Sequence, residues 1–397
     1  MKKIMIIAGG EWQVPIIKKA KEMGHFVINS NLYPNSPGFK FADIGEVADV
    51  LDIEKNLELA RKYEIDAIIT DQSDIAVPTV AFIADKLGLR GIGNEKAQLF
   101  TNKFLMREFC KENNFKYPKY QLVRSIEDAI YFANQVGYPI VLKPTNSQSS
   151  RGVIKVNNQN ELRKEYKNTL KFCIDNKVLV EEYIGGIELT VEGFKFYDKH
   201  ISLAVSRKNH LPHNQMIAEE LIYTPFDEKI NYDRLKEIND NLVNKMQLLF
   251  GITHAEYKYD KGEFYLIEIA ARGGGTKISS HIVPAVTGVD VNELLIKSAL
   301  GEEILSSSLN EMKPASCATL KFFQFSSGKV KEIKGINALT NHPNILDFGM
   351  NFKKGDTIDL PTDDRSRHGY IILKANSIAE LNTIKEWAKE KVKIEYE

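Results

Sequence analysis

From residue 1 to about 92, short apolar runs alternate with stretches whose apolar positions recur every three or four residues. KKIMIIAGG, HFVINSN and IDAIIT have the length of buried strands, whereas EWQVPIIKKAKEMG and DIAVPTVAFIADKLG carry the period of amphipathic helices. Strand followed by helix, repeated, predicts a parallel α/β domain with right-handed crossovers, in which ligands sit at the carboxyl ends of the strands. Two loops fall on that edge, Gly9-Gly10-Glu11-Trp12-Gln13 and Thr70-Asp71-Gln72-Ser73-Asp74. The glycine pair is not the dinucleotide fingerprint and lacks the lysine of a phosphate loop. Each loop reads equally well as a substrate contact or as a tight turn with a helix cap at Ser73 or Asp74.

The pattern then changes. NEKAQLFTNKFLMREFCKENN reads as one helix capped by Asn94 and carrying Lys103. From about 118 to 190 a smaller α/β unit is predicted: strand YQLV, helix SIEDAIYFANQVG, strand YPIVLKP, loop TNSQSSRG, strand VIKV, a polar helix, then KVLVEEYI and IELTVEGF. Residues 191–310 continue as sheet, with a helix over 232–249 and another over VNELLIKSALG. From about 311 to the end, SCATLKFFQF, GKVKEIKGI, KKGDTI and HGYIILKA are short strands before the helix AELNTIKEWAKEKV, an α+β cap. These shifts divide the chain into 1–93, 94–310 and 311–397.

Three features carry candidate chemistry. Lys143 lies in an otherwise apolar strand, where an unpaired ammonium is costly, so an anionic partner is expected. The segment Thr145 to Gly152 is rich in Ser, Asn and Gly, as a phosphate-covering loop requires and as an ordinary mobile hairpin loop also shows. In KVLVEEYI the adjacent Glu181 and Glu182 face opposite ways, so one of them meets the cleft. The third feature is HAEYKYDKGEFYLIEIAARGGG, His254 to Gly275, whose alternation on both sides of Asp260-Lys261-Gly262 predicts a β-hairpin. A three-residue loop centred on Lys261 sets 254 opposite 268 and 256 opposite 266, making Glu256 and Glu268 diagonal neighbours on one face. That placement suits carboxylates sharing a hard cation, and equally an exposed hairpin whose glutamates are its polar half.

Composition narrows the classes. Lys+Arg and Asp+Glu are each 53 of 397 residues, so net charge is zero and no long-range pull toward nucleic acid or an anionic membrane is expected. Apolar runs are far shorter than a bilayer span and MKKIMIIAGG is a strand pattern rather than a signal peptide, which predicts a soluble, cytoplasmic protein. Cys110, Cys173 and Cys317 match no metal or disulfide spacing and are read as free thiols.

Taken in order, these pieces resemble the ATP-grasp enzymes, in the carboxylate–amine ligase group that includes the L-amino acid ligases and the purine-pathway relatives of biotin carboxylase. The resemblance spans essentially the whole chain and implies a mixed α/β and α+β fold. Its parts are an N-terminal Rossmann-like domain, a lid near 118–190, a central antiparallel sheet over about 191–310 and a C-terminal cap. It implies ATP and Mg2+ as cofactors. Lys103 and Lys143 resemble the lysines on the ATP phosphates, and Ser147 to Gly152, with Ser149, Ser150 and Arg151, resembles the loop over them. Glu181, Glu182, Tyr183 and Ile184 resemble the strand that holds adenine, and Glu188 the ribose ligand. Glu256 and Glu268 resemble the magnesium ligands and Arg272 the arginine at the γ-phosphate and acyl phosphate. One departure stands out: the family pattern Glu-x-Asn-x-Arg is here Glu268-Ile269-Ala270-Ala271-Arg272, without the asparagine ligand. The Gly273-Gly274-Gly275 run serves either close ligand approach or a plain turn.

The implied activity is ligation: a carboxylate takes the γ-phosphate of ATP as an acyl phosphate, and an amine displaces phosphate to give an amide. Arg272 and Lys143 are the expected catalytic groups, and Glu11, Gln13, Gln72, Ser73, Ser279, Ser280 and His281 are candidates for the acceptor pocket. His254, His210 and His213 read first as structural histidines. The expected partners are a small-molecule carboxylate and amine, without nucleic acid or membrane, and with a homodimer allowed. A carboxylase, a kinase-type enzyme and a non-catalytic nucleotide-binding protein are the alternatives on the same fold.

Overall fold

The computed structural model describes residues 1–147, 150–309 and 317–397. Its N-terminal part is a four-stranded parallel sheet in the order Ile44–Val47, Phe26–Asn31, Lys3–Ile7, Ala67–Ile69. Both faces are covered, which explains why these strands are apolar throughout. Met5, Ile7, Ile28 and Ile68 pack on one side with Leu57 and Ile83, while Ile4, Ile6, Val27 and Ile69 meet Ile16 and Ile17 on the other.

The stretch from Asn94 is two helices, Asn94–Leu99 and Lys103–Glu112, not one. Asn94 is the first helical residue after Gly93 rather than a cap. The cap is Asn102, whose side chain accepts from the Phe104 and Leu105 amides at 3.0 and 3.2 Å. This break turns Lys103, Met106, Arg107 and Cys110 inward together, at the i, i+3, i+4, i+7 spacing of a buried stripe.

A second sheet of four antiparallel strands follows, ordered Tyr120–Val123, Val178–Glu182, Ile140–Lys143, Ile154–Val156. Helices Ile126–Val136 and Gln159–Leu170 cover it through Phe132, Leu142, Leu162 and Val180. Ile187–Lys195 leaves this unit for a sheet of eight strands, ordered Glu263–Ala270, Gly251–Asp260, Ile187–Lys195, His200–Leu211, Asn214–Tyr223, Cys317–Phe322, Gly369–Ala375, Ile345–Met350. Strands from the C-terminal region thus prolong the central sheet, and the expected 310/311 boundary lies outside the described residues. Thr357–Ile358, Gly328–Lys334 and Lys393–Tyr396 form a separate small sheet. Ile345–Met350, half-buried at every position on the sheet edge, has no alternation to mark it in sequence. Among the described residues no helix is long and apolar enough to cross a membrane.

The hairpin keeps its strands but changes register. Its loop is the two residues Lys261-Gly262, with φ of 50° and 82°, the left-handed pair of a tight hairpin turn. The pairing shifts between Glu256 and Tyr257, leaving Ile267 as an unpaired bulge residue. Glu256 therefore faces Glu268 directly, not diagonally, and His254 faces Ala270. Arg107 accounts for the bulge: its Nη2 donates to the Ile267 carbonyl at 2.7 Å.

Candidate active site

Side chains on one face of the large sheet form a chain of alternating charge. Lys258 Nζ lies 2.9 Å from Glu188, which lies 2.6 Å from Lys208; Lys208 reaches Glu256 at 3.0 Å. Beyond it, His254 stands between Glu256 at 3.6 Å and Glu192 at 2.8 Å. Burial alone would raise the Glu256 carboxyl and lower the His254 imidazolium. Lys208 and His254 outweigh burial at Glu256 and hold it well below the usual range, and the Glu192 charge and hydrogen bond lift His254 to about 9. With a carboxylate at each ring nitrogen, His254 is a buried cation. Glu188 is likewise held down, by Lys208, His210 and Lys258 acting against its burial.

The helix at Lys103 brings two cations to this face. Lys103 Nζ donates to Glu268 at 2.8 Å and to the Ser147 carbonyl at 2.7 Å. One turn on, Arg107 holds Glu181 through Nε to Oε1 at 2.8 Å and Nη2 to Oε2 at 3.3 Å, and Lys143 Nζ lies 2.5 Å from the same Oε2. The anionic partner expected for Lys143 is thus Glu181, the inward member of the Glu181–Glu182 pair, and both are almost wholly buried. Burial, with Arg107 and Lys103 nearby, pulls the Lys143 ammonium downward against the pull of Glu181. Glu182 accepts from the Lys119 amide at 3.4 Å, and Lys155 lies 4.1 Å above the Tyr183 ring. Tyr183 and Glu188 share a cavity of about 370 Å3, and Ile184 is buried beside them in sequence.

The third component joins the N-terminal domain to the glycine run. Arg272 donates through Nε and Nη2 to Asp74 at 2.8 and 2.7 Å, and through Nη1 to the Gly273 carbonyl. Asp71 accepts from the Gly273 amide at 3.0 Å and from Ser279 Oγ at 2.8 Å, and Gln72 accepts from the Lys277 amide at 2.7 Å. Gly273 has to be glycine, because a Cβ there would sit 2.5 Å from Asp71 Oδ1. The run's close approach is thus to the protein's own Asp71. Thr276 and Lys277 both have φ near 60°, which is strained for the β-branched Thr276. Lys277 is anchored by Asp347 at 2.6 Å.

These components surround a cavity of about 420 Å3. Glu256, Glu268 and Arg272 line it on one side, and Trp12, Arg367 and Tyr370 on the other. Of the acceptor-pocket candidates, Gln72 lines it. Gln13 is buried, accepting from the Gly10 amide and donating to the Asp71 carbonyl, and Ser279 is buried against Asp71. Ser280 and His281 bond each other at 2.9 Å, Ser73 precedes a short 3-10 turn without capping it, and Glu11 is exposed. In the loop over the lysines, Ser147 Oγ donates to the Arg151 carbonyl and Ser150 Oγ reaches Asp364 at 3.2 Å, while Gly152 packs near Phe172. Ser149 lies outside the described residues. Ala270 is buried opposite His254. Arg107, Lys208 and Arg367 are polar groups of the site that sequence reading passed over, and Asp74, which lines the cavity, was read only as part of a loop open equally to substrate contact and to capping. Only Arg107 left a signal, a charge inside an apolar helix stripe.

A model of the ATP-grasp domain matches residues 136–280, the span from Lys143 through Arg272. The chain carries an ATP-grasp domain. Beyond this ATP-grasp domain, residues 321–397 match the L-amino acid ligase C-terminal domain 2, in keeping with the carboxylate–amine ligase group. Formate-dependent phosphoribosylglycinamide formyltransferase of Prochlorococcus marinus is 26% identical over 377 residues, covering 89% of each chain. The enzyme of that name from Trichormus variabilis is 29% identical over 205 residues, 49% of this chain, so the matched part spans about half (51%) of that relative. The L-amino acid ligase of Bacillus licheniformis superposes with a TM-score of 0.85 at 21% identity, covering 100% of this chain and 99% of the other, a likeness of ATP-grasp fold.

Proposed function

We propose that the protein is an ATP-dependent carboxylate–amine ligase that activates a small-molecule acid as its acyl phosphate, releases ADP, and passes the acyl group to an amine. The observation that carries this reading is the meeting of a facing glutamate pair, Glu256 and Glu268, with Arg272 on one cavity, beside Lys103. Lys103 and Lys143 would take the nucleotide phosphates, with Tyr183, Ile184 and Glu188 toward the nucleoside. In the first step a carboxylate oxygen bonds to the γ-phosphorus as the bond to ADP breaks. In the second, the amine nitrogen bonds to the acyl carbon, the carbon–oxygen bond to phosphate breaks, and the nitrogen's proton is released. Arg272 would steady the planar carboxylate and then the acyl phosphate, because its guanidinium matches both in shape and charge. The chain's role is mainly to position and neutralise.

Magnesium fits the glutamate pair in one form. Among the described residues no three His, Cys, Asp or Glu side chains gather as a metal cage, and Ala270 offers no ligand. Two carboxylates facing each other suit an ion that takes the rest of its ligands from phosphates and water. Bound there, magnesium supplies charge neutralisation between the nucleotide phosphates. Lys208 pairs with Glu256 at 3.0 Å and Lys103 with Glu268 at 2.8 Å.

The test incubates the protein with ATP, magnesium and pooled acids and amines, following ADP, phosphate and amide. ADP and phosphate in equal amounts with an amide product are expected. AMP and pyrophosphate instead would sink the acyl-phosphate route, and Glu268→Gln should abolish turnover.

A further inference from the structure

Asp74 belongs to the N-terminal domain, 198 residues from Arg272 in sequence, yet both its oxygens are given to that arginine. A guanidinium has five N–H donors. In this site Nε and one Nη2 proton go to Asp74, and one Nη1 proton goes to the Gly273 carbonyl. The remaining Nη1 and Nη2 protons meet no acceptor among the described residues, while Arg272 lines the cavity. Nη1 and Nη2 together make the end-on edge of the guanidinium, the edge that takes two oxygens of a phosphoryl or carboxylate group in parallel.

Without Asp74 the arginine would have other anions to choose from. Glu268 and Glu256 line the same cavity and both act on the Arg272 charge, so a free side chain would be drawn across toward the glutamate pair. The Asp74 carboxylate is fit to prevent this: burial would raise it, but Arg272 outweighs burial and keeps it ionised. Its own loop is fixed to the turn behind Arg272 by two further contacts, Asp71 to Gly273 and Gln72 to Lys277.

We infer that Asp74 is a positioning residue, supplied by the N-terminal domain, which fixes the side-on edge of Arg272 so that the end-on fork meets the acyl phosphate. This rests on the ligase reading. It makes the loop Asp71–Asp74 part of the transfer machinery, and it separates the role of Asp74 from nucleotide binding, which lies at Lys103 and Lys143.

The experiment compares wild type with Asp74→Ala, Asp74→Asn, Arg272→Ala and the Asp74→Ala/Arg272→Ala double variant, in steady-state turnover. Misplacing a reacting group by about 1 Å costs on the order of 100-fold. Asp74→Ala should therefore lower kcat by about 10- to 100-fold, with KM for ATP essentially unmoved. Asp74→Asn, which keeps the shape and one acceptor, should lose less. In the Arg272→Ala background, removing Asp74 should cost nothing more. A further tenfold loss in the double variant overturns the inference, since Asp74 would then act on its own, and so does wild-type kcat in Asp74→Ala. A second readout needs no turnover. The Arg272 Nε–H resonance, identified by its absence in Arg272→Lys, should be protected from exchange in wild type and exposed in Asp74→Ala. Protection that survives in Asp74→Ala overturns the inference. If the wild type forms no ADP with any acid or amine, the ligase reading fails while this resonance still decides whether Asp74 holds Arg272.

Discussion

The triad Arg107–Glu181–Lys143 makes the sharpest energetic prediction, because its two outer members are not equivalent. All three side chains are nearly inaccessible, at 0%, 2% and 7% exposure, so solvent screens them little. The cluster carries one net positive charge. Glu181→Gln leaves two cations facing each other without an anion, and removing one partner of a buried pair costs about 3–5 kcal/mol. Lys143→Met leaves Arg107 and Glu181 paired through two hydrogen bonds and neutral. Its expected change in stability is under about 1 kcal/mol in either direction, since an apolar chain of similar volume replaces an ammonium that burial already disfavours. For ATP the order reverses. Lys143→Met removes a charged contact to phosphate, about 1.5–3 kcal/mol, and should weaken ATP binding by roughly 10- to 150-fold. Urea unfolding at pH 7 and calorimetric titration with ATP measure the two quantities. The Glu181→Gln penalty should shrink toward pH 9: Lys143 would then have a depressed folded pKa, and stability rises with pH while the unfolded state binds this proton and the folded state does not. Equal destabilisation by both variants would refute the triad energetics, and unchanged ATP affinity in Lys143→Met would remove Lys143 from the phosphate site.

Three further outcomes follow from named contacts. The folded His254 pKa, about 9, lies above its ordinary 6.5, so its contribution is complete below pH 6.5 and lost as pH rises through 9; the difference is about 3 kcal/mol. Wild-type unfolding free energy should fall by about that amount relative to His254→Asn across this window, and parallel pH profiles would contradict it. Gly273→Ala forces a Cβ against Asp71 and Ser279 and should cost about 1–3 kcal/mol in denaturation, whereas Gly275→Ala, with nothing within 4 Å of the added Cβ, should be close to neutral. Ala270→Asn returns a carbonyl ligand beside Glu268; it should steepen the magnesium dependence of ADP release, and an unchanged dependence would place that side chain away from the metal.

How much of this was readable beforehand depends on the range over which each residue acts. The parallel N-terminal sheet, the lid strands and the hairpin follow from local periodicity, which needs no partner to be visible. Lys143 was readable for a similar reason: a lysine inside VLK, flanked by apolar positions, states that an anion is near, although not which one. Arg107 carried the same message in a helix, since the stripe Lys103, Met106, Arg107, Cys110 places two cations where apolar side chains belong. The register of the hairpin was beyond reach because it is decided from outside the hairpin. The bulge at Ile267 leaves a carbonyl turned to Arg107, 160 residues away in sequence, and no pattern within residues 254–275 contains that information.

The same limit hid Asp74. In TDQSD local chemistry supports a turn or cap and a substrate contact equally, and names no arginine partner. Its function arises only when the carboxyl edge of the parallel sheet is laid against the glycine run, which brings Asp71, Gln72 and Asp74 onto Gly273, Lys277 and Arg272. Ala270 illustrates the converse. The missing asparagine was readable at once, but its consequence was not, because the position it vacates faces His254 across the strand pair. The face that in the family pattern carries an asparagine beside its glutamates here carries a buried imidazolium held between Glu192 and Glu256. A cation at that place meets the charge of the glutamate pair without any ligand from residue 270. The alanine at 270 and the imidazole between Glu192 and Glu256 thus occupy facing positions of one strand pair, a relation that only the register reveals.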